Sequence, residues 1–270
     1  PPIVRDTDGG DVTVRPGRPG RGDTVTVTPN PAPGFETGGV TVTDKDGNNV
    51  EVTKNEDGSF SFVQPSGKVT IAVNYVCGRG PLCPAAGFSD VDVNSWYHDG
   101  VHYVLDNGLM IGVGVDRFAP AGITTRAQIA TMLYRLEGTP QVARSAGFSD
   151  VQDGRWYADA VDWAAENGIV FGYSGTTFAP NDAVTREQMA AILYRYAKYK
   201  GCDVNAVTDS GILNFEDIAE VSEYAVPAMQ WACSTGLIQG IGGSRLDPAG
   251  VTERAQTAAM FLRLCEDILK

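Results

Sequence analysis

The chain has 270 residues, which is long for one domain when roughly 150 residues per domain is typical. Hydrophobic residues make up 43% and charged residues 20%, near the composition of ordinary soluble domains, so wholesale disorder is not expected. The net charge of −12 argues against nucleic acid as a partner, because binding phosphates requires a surplus of cations. No run approaches the roughly 18 consecutive apolar residues that a membrane span needs, so membrane insertion is not expected.

The chain begins Pro1-Pro2, without an initiator methionine or a signal peptide, and we interpret it as a mature or trimmed fragment. Residues 1–22 are predicted to be a linker. Their second half, Arg-Pro-Gly-Arg-Pro-Gly-Arg-Gly at 15–22, excludes a helix or a central strand.

Residues 23–76 are predicted to be a small all-β module. Apolar and polar residues alternate there in runs separated by turn signals such as Asp46-Gly47. A period of two predicts about five short antiparallel strands around one core. The runs are Val25/Val27, Val40/Val42, Val50/Val52, Phe60/Phe62 and Val69/Ile71/Val73/Tyr75. The pattern loosely resembles the Ig-like β repeats of bacterial surface proteins.

A second linker is predicted at residues 77–84, a segment that begins with Cys77 and ends with Cys83 and a proline. In an oxidising exterior we expect these two cysteines to form a disulfide across the short Gly/Pro loop. Cys233 and Cys265 fall on predicted helices, where a buried thiol is the ordinary expectation. Cys202 follows a helix end, and its pairing stays open.

From residue 85 one pattern of landmarks occurs three times, which predicts three copies of a single supersecondary unit. The landmarks are Phe-Ser-Asp-Val (88–91, 148–151; Phe-Glu-Asp-Ile at 215–218), Trp-Tyr (96–97, 156–157; Glu-Tyr at 223–224), Phe-Ala-Pro (118–120, 178–180; Leu-Asp-Pro at 246–248) and an arginine (Arg126, Arg186, Arg254). The predicted copies span 85–145, 146–212 and 213–270.

Each copy is predicted to contain two helices. The first runs from the Trp-Tyr position to a glycine suited to a left-handed C-terminal cap, namely Gly108, Gly168 or Gly236. The second begins at the arginine, because Thr125 with Gln128 matches a capping box and Thr185 with Gln188 repeats it. One such pair cannot bury its apolar face alone, so three pack into a bundle of about six helices with Tyr103, Trp163 and Trp231 in the core. The predicted fold class is therefore multidomain, mainly α, with a small all-β N-terminal domain.

At these motifs, over residues 85–270, the chain resembles a triplet of S-layer homology (SLH) domains. The resemblance implies a pseudo-threefold helical bundle with ligand grooves between neighbouring repeats. It also implies a non-catalytic anchor without a cofactor, located at the bacterial cell surface. Its expected partner is an anionic secondary cell-wall polysaccharide, often carrying ketal-linked pyruvate.

The arginines are the first candidate ligand-binding residues. Arg126, Arg186 and Arg254 stand at the first position of their helices, where the helix dipole disfavours a cation. Three such placements suggest a role beyond stability. A guanidinium beside free helix N–H groups would bind a carboxylate, such as that of a pyruvate ketal. Alternatively, the arginines pair with Asp or Glu of a neighbouring repeat.

The other candidates are aromatic and acidic. Trp96 and Trp156 would offer flat faces to a sugar, and Asp90, Asp150 and Asp217 would accept sugar hydroxyls or orient loops. The alternatives are that the tryptophans belong to the core and that the aspartates are caps or turn formers. Copy three departs from the pattern at Glu223 and Glu253, so the Arg126 and Arg186 grooves are the better candidates.

Three further alternatives follow from the sequence. The repeats could drive self-assembly into a surface lattice, or the chain could be the anchor fragment of a larger surface enzyme. Paired carboxylates such as Asp150 and Asp153 do not indicate a hydrolase by themselves.

His98 and His102 are spaced for zinc on one helix, but without a third ligand nearby a solvated helix face is preferred, and no metal site is predicted.

Overall fold

The computed structural model describes residues 1–5, 9–142, 145–205, 212 and 215–269. They divide into two compact units, Pro1–Gly87 and Phe88–Lys270. Helices account for 30% of the chain and strands for 19%, so "mainly α" is not confirmed for the chain as a whole. The strands lie in the first unit and the α-helices in the second. The predicted boundary between the second and third repeats, at residues 212–213, falls largely outside the described residues.

The N-terminal unit contains two four-stranded sheets, ordered β1-β8-β4-β5 and β2-β3-β7-β6. Their strands are β1 (Ile3–Val4), β2 (Gly10–Arg15), β3 (Thr24–Pro31), β4 (Phe35–Thr43), β5 (Asn49–Val50), β6 (Thr53–Lys54), β7 (Phe60–Val63) and β8 (Thr70–Cys77). The alternating valines and phenylalanines of the five predicted runs point into one core, which confirms the period-two interpretation. In the fourth run Val50 ends β5, whereas Val52 lies between β5 and β6, which belong to different sheets.

The prediction that residues 1–22 form a linker is wrong for its first half. β2 pairs with β3 in antiparallel register from Gly10 to Arg15, and β1 pairs with β8 in parallel. Val12 and Val14 alternate with polar residues and pack against the core, a two-residue signal too short to stand out in the sequence. The Pro/Gly-rich run begins only where β2 ends.

The predicted bridge between Cys77 and Cys83 is not formed, because both residues are present as buried thiols. Cys77 is the last residue of β8, opposite Phe35 in β4, and therefore belongs to the sheet rather than to the linker. Its sulfur accepts a hydrogen bond from the Arg79 amide at 3.3 Å.

The C-terminal unit contains the six predicted helices: α1 (His98–Asp106), α2 (Arg126–Leu136), α3 (Ala158–Glu166), α4 (Arg186–Tyr199), α5 (Val226–Ser234) and α6 (Arg254–Arg263). The capping boxes of Thr125 and Thr185 are both present, and Gly108, Gly168 and Gly236 all adopt positive φ after their helices. Trp163 and Trp231 are buried as predicted, whereas Tyr103 is only half-buried.

The second helix of each repeat packs against the first helix of the next. α2 contacts α3, α4 contacts α5, and α6 closes the ring onto α1. At the centre the three backbones form a closed cycle of hydrogen bonds: Thr124 N–H donates to Thr252, Thr252 to Val184, and Val184 to Thr124. The repeats therefore form a pseudo-threefold ring.

No described helix is both long and apolar enough to cross a bilayer. The expectation of a solvated histidine pair is wrong for His98, which is fully buried, while His102 is half-buried. His98 stands three residues before the buried Val101 and so lies on the inner face of α1.

Candidate functional site

Each arginine that begins a second helix reaches into the next repeat. The Nε of Arg126 donates to the Phe178 carbonyl at 2.8 Å, and its Nη2 donates to the Phe171 carbonyl at 2.6 Å. The other two arginines repeat this pattern, Arg186 on Leu246 and Gln239, and Arg254 on Phe118 and Ile111. All three side chains are buried. They therefore join neighbouring repeats.

The expectation of free N–H groups at these helix starts is wrong. The Arg126 amide donates to the Asp182 carbonyl and the Ala127 amide to the Pro180 carbonyl, both in the next repeat. The Gln128 amide donates to the Thr125 hydroxyl. Corresponding bonds occur at α4 and α6. These carbonyl oxygens satisfy the helix donors and place negative partial charge beside the arginine, which offsets the unfavourable dipole.

The three aspartates hold turns of their own repeats. Asp150 accepts hydrogen bonds from the amides of Phe178 (2.9 Å) and Ala179 (2.7 Å), one on each carboxylate oxygen. Ala179 has a φ of +59°, which a residue with a Cβ rarely adopts, so the carboxylate stabilises a strained turn. Asp90 on Phe118 and Ala119, and Asp217 on Leu246 and Asp247, are equivalent. Of the two roles that the sequence left open for these aspartates, the hydrogen bonds correspond to the orientation of loops.

Burial raises the pKa of each of these aspartates, but the two backbone amides more than compensate, so the pKa of each lies below the ordinary carboxyl value. They are therefore carboxylates at neutral pH and act only as acceptors.

The two candidate tryptophans lie at the surface. Trp96 is 66% exposed and Trp156 is 62% exposed, so the core alternative is wrong for both. Each ring stands edge-to-face against the following tyrosine, Tyr97 or Tyr157, with centroids 5.4 and 5.1 Å apart. No ring contact joins either tryptophan to a groove arginine among the described residues.

The alternative of internal ion pairs for the arginines is also wrong. Within the described part of the chain, no carboxylate oxygen lies within 4.0 Å of a nitrogen of Arg126, Arg186 or Arg254. Glu253 directly precedes Arg254 but forms no such pair, and Arg254 makes the same two carbonyl bonds as the others. Glu253, which stands where the other repeats have threonine, therefore does not change the hydrogen bonds of Arg254.

A second set of three arginines was missed by the sequence interpretation. Arg135, Arg195 and Arg263 stand at one matched spacing after the first arginine of each helix and donate to carbonyls of their own repeats: Leu109, Ile169 and Leu237. The equal spacing of the two arginines in all three repeats is the sequence signal that could have identified this second set.

Two of the second arginines interact with a first arginine of the preceding repeat. The Arg195 guanidinium carbon lies 4.9 Å from the ring centroid of Phe171, the residue whose carbonyl accepts from Arg126. Burial lowers the pKa of Arg195, Tyr224 opposes this effect, and the charge of Arg126 lowers the pKa further. Burial likewise lowers the pKa of Arg186, and its causes include the charge of Arg263. Arg126 with Arg195, and Arg186 with Arg263, are therefore two pairs of guanidinium groups from adjacent repeats.

Comparison with known proteins identifies this architecture. Residues 87–130, 147–190 and 214–258 each match the S-layer homology domain, so the chain belongs to the SLH-domain family. SLH domains are non-catalytic and anchor surface proteins to the cell wall, and this chain is accordingly a cell-surface protein.

Its relatives include both surface-layer proteins and enzymes. The chain is 29% identical to exoglucanase XynX of Acetivibrio thermocellus over 86% of its own length and 20% of the relative. It is 31% identical to an amylopullulanase of Thermoanaerobacterium thermosulfurigenes over 66% of the chain and 9% of the relative. It is 30% identical to the surface-layer 125 kDa protein of Lysinibacillus sphaericus over 70% and 16%. The chain thus spans a fifth or less of these proteins.

Proposed function

We propose that the chain holds a surface protein on the bacterial wall by binding an acidic secondary cell-wall polysaccharide in the grooves between its SLH repeats. In this proposal Arg126, Arg186 and Arg254 bind the ligand carboxylate, and pyruvate ketals are the expected source of that carboxylate. The exposed rings of Trp96 and Trp156 contact sugar faces. Asp90, Asp150 and Asp217 act indirectly, since they fix the turns whose carbonyls hold the arginines.

One observation carries the proposal: in a strongly acidic chain, three buried guanidinium groups have no carboxylate partner within the described part of the structure. A guanidinium has five N–H donors, and the described side-chain hydrogen bonds of Arg126 use two of them. A buried charge without a counterion is costly, and the 33 acidic residues of the chain could have supplied one. An incoming carboxylate would complete the charge pairing with bidentate geometry.

The experiment compares wall polysaccharide before and after mild acid treatment, which hydrolyses ketals and removes pyruvate. We expect the full chain to sediment with untreated polysaccharide and to lose that binding after treatment. Equal binding to both preparations would refute the carboxylate proposal. Because the arginines also join repeats, each arginine variant must be checked by thermal melting before its binding is compared.

A matched variant pair separates groove charge from general charge. Arg126→Lys keeps the positive charge but loses the bidentate fork, so binding should weaken while the melting transition stays cooperative. Arg155→Ala removes an exposed arginine whose described hydrogen bond is local, to Gln152, and should bind like the original chain. Equal loss in both variants would indicate nonspecific attraction.

Self-assembly into a surface lattice remains the alternative role for the same surface. Sedimentation of the chain without glycan decides between them, because a lattice-forming protein assembles alone and an anchor stays monomeric until polysaccharide is added.

A further inference from the structure

The three grooves differ in the side chains that surround their arginines. The guanidinium carbon of Arg126 lies 4.5 Å from the Tyr173 ring centroid and 4.6 Å from that of Phe178. Arg254 lies over one ring, that of Phe118, at 4.5 Å. Among the described residues Arg186 lies over none, because Leu246 takes the place of the phenylalanine.

The grooves also differ at a second position, which is aromatic beside Arg126 and aliphatic beside the other two arginines. Tyr173 is 54% exposed beside Arg126, whereas the equivalent positions are Val113 beside Arg254 and Ile241 beside Arg186. An exposed ring that already contacts a guanidinium offers a flat face to sugar C–H groups. An aliphatic side chain at the same position provides less of this surface.

A second difference comes from Glu187, which the other repeats replace with Ala127 and Ala255. Its carboxylate accepts hydrogen bonds from the Ser222 amide (2.9 Å), the Ser222 hydroxyl (2.8 Å) and the Tyr224 hydroxyl (3.1 Å). Because the Tyr224 hydroxyl donates to Glu187, its lone pairs remain available to accept from another group.

Arg195 stands beside Arg126, because its guanidinium carbon lies 4.9 Å from the centroid of the Phe171 ring and Arg126 donates to the Phe171 carbonyl. Tyr224 interacts electrostatically with both arginines. Burial and Glu187 raise the pKa of the Tyr224 hydroxyl to about 12, while the charge of Arg195 acts in the opposite direction. Tyr224 also counts among the groups that stabilise the charge of Arg126. This groove therefore combines two cations, a ring face and an oriented hydroxyl acceptor.

We infer that the three grooves are not equivalent and that the Arg126 groove, formed by Arg126, Arg195, Tyr173 and Tyr224, is the principal saccharide site. It selects a sugar that presents a carboxylate, an apolar face and a hydroxyl donor together. This inference rests on the proposed function, and it makes Tyr173 and Tyr224 the residues that determine specificity.

Calorimetric titration of the full chain tests the inference with a synthetic methyl hexopyranoside that bears a pyruvate ketal. The methyl ester of the same compound serves as the uncharged control. We expect one strong site per chain for the free acid. Tyr173→Val, which installs the residue of repeat one, should weaken that site about tenfold, the size of a lost ring contact to a cation and a sugar. Tyr224→Phe, which removes the hydroxyl acceptor together with its hydrogen bond to Glu187, should also weaken it, and its melting temperature is compared with that of the original chain.

Val113→Tyr provides the converse variant, which also protects the test if Tyr173→Val fails to fold. It places a ring beside Arg254 and should strengthen binding in that groove about tenfold, although Ala255 leaves the groove without a tyrosine hydroxyl oriented as Tyr224 is by Glu187. Unchanged binding in Tyr173→Val and Val113→Tyr, with the methyl ester still rejected, would overturn the groove inference and leave the proposed function standing. Equal binding of free acid and methyl ester would instead overturn the proposed function.

Discussion

Asp150 and Arg126 hold the same residue from two sides. Asp150 accepts a hydrogen bond from the Phe178 amide, and Arg126 of the preceding repeat donates to the Phe178 carbonyl. The aspartate motif of one repeat and the arginine motif of the repeat before it thus act on one turn. The binding residues and the joint between repeats are therefore parts of a single hydrogen-bonded arrangement.

Replacing the aspartate should destabilise this joint. Asp150→Asn leaves one of the two backbone amides facing an NH₂ group, so we expect a loss of about 1–3 kcal/mol in the free energy of unfolding. Asp153→Asn, at an exposed position nearby, should have little effect. Urea unfolding of both variants checks this. Equal stability of Asp150→Asn and the original chain would contradict the role assigned to Asp150.

The C-terminal unit should lose stability in acid. The folded pKa values of Asp90, Asp150 and Asp217 are lowered from 3.8, so the unfolded chain takes up protons first as the pH falls. Their contribution is complete above pH 3.8 and disappears as the pH falls through the folded values.

Tryptophan fluorescence can follow this loss, because Trp96, Trp156, Trp163 and Trp231, the four tryptophans of the chain, lie in the C-terminal unit. The melting temperature from this signal should fall below pH 3.8, and the triple Asp→Asn variant should show a shallower fall. A melting temperature that rises with acidification would contradict the assigned direction of the pKa shifts.

A buried hydroxyl at the centre of the ring offers a stabilising substitution. The Thr252 hydroxyl is fully buried and has no hydrogen-bond partner among the residues that the structure describes, while the equivalent position in repeat two is Val184. Thr252→Val should therefore raise the stability by about 1 kcal/mol, the order of the cost of an unpaired buried polar group.

Thr124 provides the matched control, because its hydroxyl is bonded to that of Thr257 at 2.7 Å. Thr124→Val should lower the stability where Thr252→Val raises it. Calorimetric melting of both variants distinguishes a specific effect of the unpaired hydroxyl from a general preference for valine, which would shift both in one direction.

Glu187 should couple repeat two to repeat three. Removing its carboxylate in Glu187→Ala leaves the Ser222 and Tyr224 donors without their acceptor, so we expect a loss of about 2–3 kcal/mol, the range for bonds to a charged group. Tyr224→Phe should cost about 1 kcal/mol. In a double-mutant cycle the two losses should fall short of additivity, and strict additivity would show that the contact contributes nothing.

The local features of the fold follow from the sequence, whereas the hydrogen-bond partners of the arginines in the next repeat do not. Thr125 with Gln128, the arginine at the first helical position and Gly108 after α1 are predictable because each depends on a few neighbouring residues. The carbonyl of Phe178 as the partner of Arg126 depends on the way the repeats close into a ring, which no spacing reveals. The structure links Asp150 to Arg126 of the preceding repeat through the backbone of Phe178, a contact that no motif within one repeat predicts.

The missed elements have comparable causes. β2 is short, and its two valines carry little signal beside the long proline and glycine run that follows. Arg195 was missed because it lies in the last half of α4, where a cation is favourable and draws no attention. Its role follows only from its proximity to Arg126.

The cycle of backbone bonds among Thr124, Thr252 and Val184 has no free end. Deleting any one repeat would leave a donor and an acceptor stranded at the axis and two helix faces bare. We therefore expect a chain shortened by one repeat to be unable to close the ring by itself, which makes three repeats the smallest self-sufficient number for this design.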